Sequence, residues 1–408
     1  MRARRRAAAI LLAGITASGV ASAGGPLVIQ TSGEPYTWGA ATIAYRTDGG
    51  NLSASVNNAA AIARVAAMFA VWQDVPSASI TYSHAGAISD TGAFTDGNVS
   101  TETEYNAVDD SCDAGEQSPI VFDEAAEIFI ALGLDETSVI GFAGPCALDL
   151  AQGRILSGIA VMNGLFQDGD EAPVPDLTTA EFDATFVHEF GHFSGLDHAQ
   201  VNWECGFRAC GADNLVGLPT MFPFLVSAQQ GSLSIDDVGW ISKLYPAGGG
   251  AGFNATHGTI TGTIYFSDGE SQAQLVNVVA RRVDAPGGAD ESRTTAANGV
   301  SGNKFRIFHG NPINEPGPEP FGPFRSQDPS HIGFYEIPLP PGDYLIDVES
   351  IQAEFTEGSS VGGERVIAMP GSSPGPVGPV TVAAGVTSPG NDVTLVGTPP
   401  RFDAFEGP

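Results

Sequence analysis

The stretch that most constrains this chain is residues 186–199, which read FVHEFGHFSGLDHA. His188 and His192 are four residues apart, so on a helix both imidazoles project from one face, one turn apart. Two nitrogens at this spacing can bind one tetrahedral Zn²⁺, which in a catalytic site takes three protein ligands and leaves one position open. The spacing therefore predicts a helix with a metal site that needs a third donor.

A third nitrogen and an acid–base group occur in the same stretch. His198 completes the ligand set if the chain turns sharply after the helix, and Gly195 is placed for that turn because glycine adopts positive φ at little steric cost. Glu189 lies between the first two histidines, where its carboxylate can accept a proton from a zinc-activated water. Thr178, with Glu181 three residues later, predicts a capping box at the start of this helix.

These residues resemble the signature HExxHxxGxxH of the metzincin metallopeptidases. That family carries a methionine turn beneath its metal, and Met221 in the stretch LPTMFP is similar to it. Pro223 stands where the astacin and serralysin branches carry a tyrosine, which favours the matrixin branch. Residues 233–246, LSIDDVGWISKLYP, are similar to the last helix of a matrixin catalytic domain, with Ser232 or Ser234 as its cap.

The resemblance implies a zinc-dependent endopeptidase acting on a protein or peptide substrate. Zinc held by His188, His192 and His198 would polarise the attacking water and the peptide carbonyl, and Glu189 would take the proton from the water. Met221 would pack beneath the site without being a ligand. The substrate would lie extended along an edge strand above the cleft. In this chain that strand is predicted to consist of Val139, Ile140, Gly141, Phe142 and Ala143.

The N-terminus and the net charge limit where the protein acts and what it binds. Residues 1–23 read as a secretory signal, with an arginine-rich start, an apolar run at 7–20 and a small-residue cleavage site at 21–23. The apolar run is too short to span a bilayer, so we expect a secreted, extracellular protein that does not insert into a membrane. The formal net charge of −30 argues against nucleic acid as a partner, because two anions repel.

All four cysteines follow the predicted signal, in a compartment that permits disulfide bonds. The expected pairs are Cys112–Cys146 and Cys205–Cys210, and the sequence leaves two other pairings open. No CxxC spacing is present, which disfavours a zinc site built from cysteines.

The first half of the chain is predicted to be one domain at 36–247. Its periodicity predicts further elements around the metal helix, namely strands at 38–46, 79–82, 119–122 and 155–163 and a helix at 57–72. Several acids between positions 84 and 117 offer oxygen ligands for Ca²⁺, namely Asp96, Asp109, Asp110 and Asp113. Because the spacing of a calcium loop is not met, solvated loop acids are the favoured interpretation.

Residues 248–255 are predicted to be a flexible Gly/Ala linker, after which the pattern changes. Alternating strands at 257–266 and 276–282, a hairpin at 333–350 and two strands within 377–396 resemble the prealbumin-type domain of the carboxypeptidase regulatory-like family. The stretch at 284–330 is expected to be a mobile insertion. We expect each half to have its own core, and the accessory domain at 256–398 to bind another protein or a surface.

The sequence thus predicts an α+β fold, with a metzincin-type catalytic domain of one twisted mixed sheet and three helices followed by a small all-β sandwich. A linker at 24–35 and a loose tail at 399–408 complete the predicted plan. The predicted function is that of a secreted zinc endopeptidase with Glu189 as general base. The alternative is an extracellular adhesion or binding protein, in which the sandwich has the main role and the zinc domain is accessory or inactive.

Overall fold

The structure, a computed structural model, combines helices with four separate sheets in the part of the chain that it describes, which is the α+β class that the sequence predicts. The residues that it describes are 10–11, 24–30, 32–40, 42–89, 97–202, 217–270, 272–273, 276–283, 291–302, 333–349 and 372–397. Most of the predicted signal, Asp96, the pair Cys205 and Cys210, and the tail at 399–408 lie outside the described residues. Among the helices that are described, none is long and apolar enough to cross a membrane.

The first half of the chain contains eight strands and five α-helices within the described ranges. Its strands are β1 Ile10–Leu11, β2 Thr37–Trp38, β3 Ile43–Thr47, β4 Tyr82–Ala87, β5 Pro119–Asp123, β6 Gly141–Asp149, β7 Arg154–Asn163 and β8 Phe224–Leu225. Its helices are α1 Asn58–Gln73, α2 Glu102–Asp113, α3 Glu127–Ala131, α4 Thr179–Phe193 and α5 Ile235–Leu244. Short 3₁₀ segments lie at Gly164–Gln167 and Ala228–Gly231.

In the part of the second half that the structure describes, there are two short helices and eight strands. The helices are α6 Ala251–Thr256 and α7 Glu291–Thr295. The strands are β9 Gly258–Tyr265, β10 Asn277–Arg282, β11 Ala296–Val300, β12 Phe334–Leu339, β13 Gly342–Glu349, β14 Val377–Val382, β15 Thr387–Ser388 and β16 Val393–Thr394.

A six-stranded sheet is the frame of the first half. Its order is β4-β3-β5-β7-β6, and β2 pairs with the first residues of β7. All pairings are parallel except that of β6, which lies antiparallel to β7 at one edge of the sheet. A parallel sheet needs its faces covered by helices, and this requirement explains why apolar helices pack against it.

Helices α1 and α4 pack against each other through aromatic side chains. Phe69 of α1 stacks on Phe190 of α4 with ring centroids 3.7 Å apart. The indole Nε1 of Trp72 donates a hydrogen bond of 2.8 Å to the carbonyl oxygen of Val187. All residues of α4 from Ala184 to Phe193 are buried. The part of α4 that carries two of the predicted metal ligands is therefore inside the domain.

The second half is built of two four-stranded sheets that share one apolar cluster. One sheet has the order β11-β10-β13-β14, and the other has β12 and β9 with β15 and β16 both parallel to β9. Fully buried side chains from both sheets meet in this cluster, among them Ile260, Val278, Tyr335 and Ile346. The alternation that predicts strands in this part of the sequence reflects this inward-facing set.

Two predicted strands of the first half are placed differently in the structure. The strand predicted at 38–46 is two strands, because Trp38 pairs with β7 whereas Ile43 begins β3 between β4 and β5. The strand predicted at 79–82 is β4, which begins only at Tyr82. Its sequence, YSHAGA, has no β-branched residue, so pattern alone did not indicate it.

The prediction of three helices in the first domain is wrong, since α2 and α3 are additional. Helix α2 was missed because eight of its twelve residues are not buried and many are acidic. Its N-terminus is capped by the side chain of Thr101, and Tyr105 and Val108 bury its apolar face. The acids that were interpreted as loop residues, Asp109, Asp110 and Asp113, therefore lie on a helix.

The two predicted linkers are structured where they are described. The Gly/Ala segment forms a turn at Ala247–Gly250 followed by α6, and Gly248 and Gly249 adopt left-handed φ of 60° and 66° in this turn. Ala247 N donates to the carbonyl oxygen of Ser77, which fixes the start of this turn. The segment at 24–30 lies along the turn after α4, where Leu27 N donates to the carbonyl oxygen of Gly195 at 2.7 Å.

The expected disulfide between Cys112 and Cys146 is present and joins α2 to β6, with Cα atoms 5.6 Å apart. Pro145, next to it, lies in β6 at an irregularity of the pairing with β7. A proline is tolerated there because an edge strand needs no N–H on its outer side.

Replacing both Cys112 and Cys146 with serine should lower the free energy of unfolding by about 3–4 kcal/mol, because the cross-link closes a loop with a sequence separation of 34 residues. Urea unfolding followed by tryptophan fluorescence measures this change. The parent protein under reducing conditions serves as the control and should shift in the same direction. An unchanged midpoint in the serine variant would show that this cross-link does not stabilise the fold.

Candidate metal centre

Helix α4, which carries His188 and His192, begins as the sequence predicts. Thr178 is its N-cap, and Glu181 N donates to Thr178 Oγ1 at 3.3 Å while Thr178 N donates to Glu181 Oε2 at 2.9 Å. This capping box satisfies two N–H groups that a helix N-terminus otherwise leaves without partners. The helix is thereby fixed at its exposed end, before it enters the core.

The helix ends in a tight turn that glycine makes possible. Gly195 has φ of 89°, and its N–H donates to the carbonyl oxygen of His192 at 2.8 Å. Leu196 N donates to the carbonyl oxygen of Gly191 at 2.9 Å, which completes a Schellman motif. A side chain at position 195 would strain this conformation and would place a Cβ 3.2 Å from Ile155 Cδ1. The predicted role of Gly195 in reversing the chain before His198 is confirmed.

The three predicted histidines meet at one point. The Nε2 atom of His192 lies 3.1 Å from Nε2 of His188 and 3.1 Å from Nε2 of His198. All three imidazoles are buried. Nitrogens bound to one tetrahedral zinc at about 2.0–2.1 Å would be separated by about 3.3 Å, close to the separation found here. The group can therefore hold a metal ion.

Hydrogen bonds at the far side of two rings determine which nitrogen faces the centre. His188 Nδ1 donates to the carbonyl oxygen of Thr220 at 2.8 Å, and His192 Nδ1 donates to that of Leu196 at 2.8 Å. A carbonyl oxygen can only accept, so each Nδ1 carries the hydrogen and each neutral ring presents a bare Nε2 to the centre. Two lone pairs 3.1 Å apart without a hydrogen between them repel, and a cation removes this repulsion.

Burial keeps these rings neutral. It lowers the pKa of His188 well below its usual value, with a further contribution from His192, and it lowers the pKa of His192 to about 4. Neutral imidazole is the form that binds a metal.

Glu189 is buried between the histidines along α4. Neither of its carboxylate oxygens has a hydrogen-bond partner among the residues that the structure describes. Burial raises its pKa well above the usual range. Its side chain faces the start of β6, where a Cβ on Gly141 would lie 3.0 Å from Glu189 Cγ. A buried carboxylate without a partner is costly, so its position indicates a group that binds at this centre.

Met221 packs against α4 at Gly191, the residue before His192. A Cβ on Gly191 would lie 2.2 Å from Met221 Sδ and 2.9 Å from Trp72 Cζ2. The backbone of α4 therefore approaches this sulfur closely, and only glycine at position 191 leaves room. The carbonyl oxygen of Met221 accepts a hydrogen bond of 2.8 Å from Ala199 N, which ties the methionine turn to the residue after the third histidine.

The predicted edge strand is shifted along the chain. Strand β6 begins at Gly141 and includes Phe142 and Ala143, whereas Val139 and Ile140 precede it. The reason lies in Asn163, whose side chain donates to the carbonyl oxygen of Val139 at 2.9 Å and whose N–H donates to that of Ile140 at 2.9 Å. From Gly141 onward, β6 has β7 on one side and no strand on the other among the described residues.

The acids considered as calcium ligands do not form a comparable group among the residues that the structure describes. Asp109 and Asp113 approach Cys146, but its sulfur is bonded to Cys112. Two carboxylates are fewer than the six to eight oxygens that Ca²⁺ takes. Burial and the nearby charge of Asp113 raise the pKa of Asp109 to about 6.

The sequence analysis missed the residues that support the centre from below. Asp237 accepts hydrogen bonds from Thr220 N at 3.0 Å, Met221 N at 3.1 Å and Ser234 N at 2.7 Å. Its carboxylate thus fixes the methionine turn, including the residue whose carbonyl orients His188. The DD pair in 233–246 was the available signal, but the sequence did not indicate what the second aspartate binds.

No protein-family model and no curated protein matches the sequence. The chemistry of the centre is therefore inferred from its own residues. They provide three converging imidazole nitrogens, a buried carboxylate beside them and a methionine turn beneath them.

Asp237→Asn should lower the free energy of unfolding by about 1–3 kcal/mol, because an amide nitrogen would face buried N–H groups that now donate to a carboxylate. Urea unfolding measures the loss, with the exposed Asp74→Asn as the matched control. Equal stability of the two variants would contradict the role assigned to Asp237.

Proposed function

We propose that this protein is a secreted zinc-dependent endopeptidase of the matrixin type. The observation that carries the proposal is the convergence of three buried imidazoles beside Glu189, a carboxylate with no described partner. The disulfide between Cys112 and Cys146 supports an oxidising compartment.

Zinc fits the donor set better than other common metals. Imidazole ligands suit zinc, whereas Mg²⁺ and Ca²⁺ prefer oxygen. His188, His192 and His198 would hold the ion, and three protein ligands are what a catalytic zinc site uses. When bound, zinc supplies Lewis acidity, which polarises a peptide carbonyl and makes water more acidic.

Glu189 is the general base of the proposed reaction. Its raised pKa reflects an apolar, buried setting, which strengthens a carboxylate as a base. It takes a proton from the attacking water and delivers it to the nitrogen of the departing amine, so that the peptide bond breaks with no net change in the enzyme.

The outer edge of β6 is the proposed site for the substrate backbone. Gly141 places the start of this strand against Glu189, so that a peptide paired with β6 would bring its carbonyl to the imidazoles. Pairing of an extended peptide with a strand edge supplies affinity through main-chain hydrogen bonds. The alternative, a binding protein with an inactive metal domain, leaves the buried position of Glu189 without a purpose.

Glu189→Gln should retain zinc but lose about 10²–10⁴-fold or more in the rate of peptide cleavage, because the amide cannot act as a base. Cleavage of a diverse peptide library, followed by mass spectrometry, and metal analysis of the same samples measure both properties. His198→Ala should lower the zinc content itself.

The matched control is Glu181→Gln on the same helix, since glutamine also serves in a capping box. That variant should cleave at the parent rate, and a chelator should abolish cleavage by the parent protein and by Glu181→Gln. If Glu189→Gln cleaved as fast as Glu181→Gln, the proposed mechanism would be wrong.

A further inference from the structure

The segment after the third histidine is held by the second half of the chain. The carbonyl oxygen of Gln200 accepts a hydrogen bond of 2.9 Å from Asn277 Nδ2 at the start of β10. Asn202, which has φ of 60°, donates from its side chain to Ser292 Oγ of α7 at 2.5 Å. Positive φ is uncommon outside glycine but is adopted more readily by asparagine, and the bond to Ser292 fixes the Asn202 side chain against α7.

The residue between these two contacts is also bound to the sandwich. Val201 is fully buried in a small apolar cluster with Val279 of β10 and Ala296 of β11. The residues at 200–202 therefore contact β10, β11 and α7 in succession. On the other side, Ala199 N donates to the carbonyl oxygen of Met221, so the segment lies between the methionine turn and the sandwich.

A second asparagine continues this contact to α5. Asn298 of β11 donates from Nδ2 to Asn277 Oδ1 at 2.9 Å, and its backbone N–H donates to Asp236 Oδ1 at 2.7 Å. Trp240 Nε1 donates to the carbonyl oxygen of Asn298 at 3.2 Å. A chain of hydrogen bonds thus runs from α5 through both asparagines to Gln200, and all of its members are buried.

Loss of this series of hydrogen bonds would affect His198, because His198 is close in sequence to Gln200. Gln200 is two peptide units from His198, and consecutive Cα atoms are a fixed distance apart, about 3.8 Å. Metal–ligand distances tolerate deviations of only about 0.2 Å. A buried carbonyl without its donor moves to find another partner, because leaving it without one costs free energy.

We propose that Asn277 and Asn298 are positioning residues for His198, so that the β-sandwich completes the metal centre. This inference rests on the proposed function only in taking zinc as the metal. It adds to the sequence-based expectation that each half has its own core, because the second half would also support the metal site of the first.

Asn277→Asp in the full-length protein tests this role. The carboxylate still accepts from Asn298 Nδ2 but loses the donor to Gln200 and places an oxygen against that carbonyl. Zinc release from the folded protein is measured by the absorbance of a chromophoric chelator. The rate of release should increase about 10-fold or more, as it does when other residues that orient metal ligands are replaced. A displacement of the segment at 200–202 should therefore appear as weaker retention of the metal.

Asn391→Asp is the matched control, because Asn391 Nδ2 donates to the carbonyl oxygens of Ser388 and Thr261, in the sheet of the sandwich that does not contain β10 and β11. It removes the same kind of bond and should release zinc at the parent rate, even where its melting temperature falls. Equal release rates of Asn277→Asp and Asn391→Asp would overturn the positioning role.

If Asn277→Asp does not fold, Asn277→Ala decides the matter, since it removes the donor to the carbonyl oxygen of Gln200 without burying a charge. Faster zinc release from that variant supports the inference, and an unchanged rate overturns it. Zinc release is measured without a peptide, so a failure to cleave peptides would end the proposed function and leave this result unaffected.

Discussion

The candidate metal centre depends on one constraint, in which Nε2 of His192 is held 3.1 Å from Nε2 of both His188 and His198. Imidazoles from a helix and from the turn after it converge in this way only if the surrounding elements fix the rings. His188 is fixed by the carbonyl oxygen of Thr220 and His192 by that of Leu196. Neither carbonyl belongs to α4 itself. The turn after the helix and the methionine turn are therefore parts of the centre, and each has its own support in Gly195 and Asp237.

Local patterns in the sequence predicted those parts of the site that depend on spacing alone. The helix with its capping box and the reversal at Gly195 follow from residues within one or two turns of each other. The cap of α5 was limited in the same way to Ser232 or Ser234, and Ser234 provides it. Their partners are near in sequence, so residue type and offset suffice. The pair Cys112–Cys146 was chosen among three possible pairings, since spacing limits but does not determine a disulfide.

Contacts between residues distant in sequence could not be predicted. Strand β11 has the sequence AANGV, which lacks strong strand formers and lies within a stretch expected to be a mobile insertion. It is a strand because β10 pairs with it, and Asn298 in this strand is bonded to Asp236, 62 positions away. Likewise, the start of β6 is set by Asn163, whose side chain donates a hydrogen bond to the carbonyl oxygen of Val139. Propensity contains no information about such partners.

The first turn of α5 explains why the two halves are not independent. Asp236 and Asp237 are adjacent and buried, and burial raises the pKa of both, with Asp237 raising that of Asp236 further. Two such carboxylates are tolerated only with N–H donors, and the two residues take them from different sides. Asp237 takes its donors from the methionine turn, and Asp236 takes its donor from Asn298 of the sandwich. Separating the halves would remove the donor of Asp236. The adjacent carboxylate of Asp237 must stay fixed, because it holds Thr220, whose carbonyl oxygen orients His188. The contact between the two halves and the support of the candidate metal centre therefore depend on the same turn of α5.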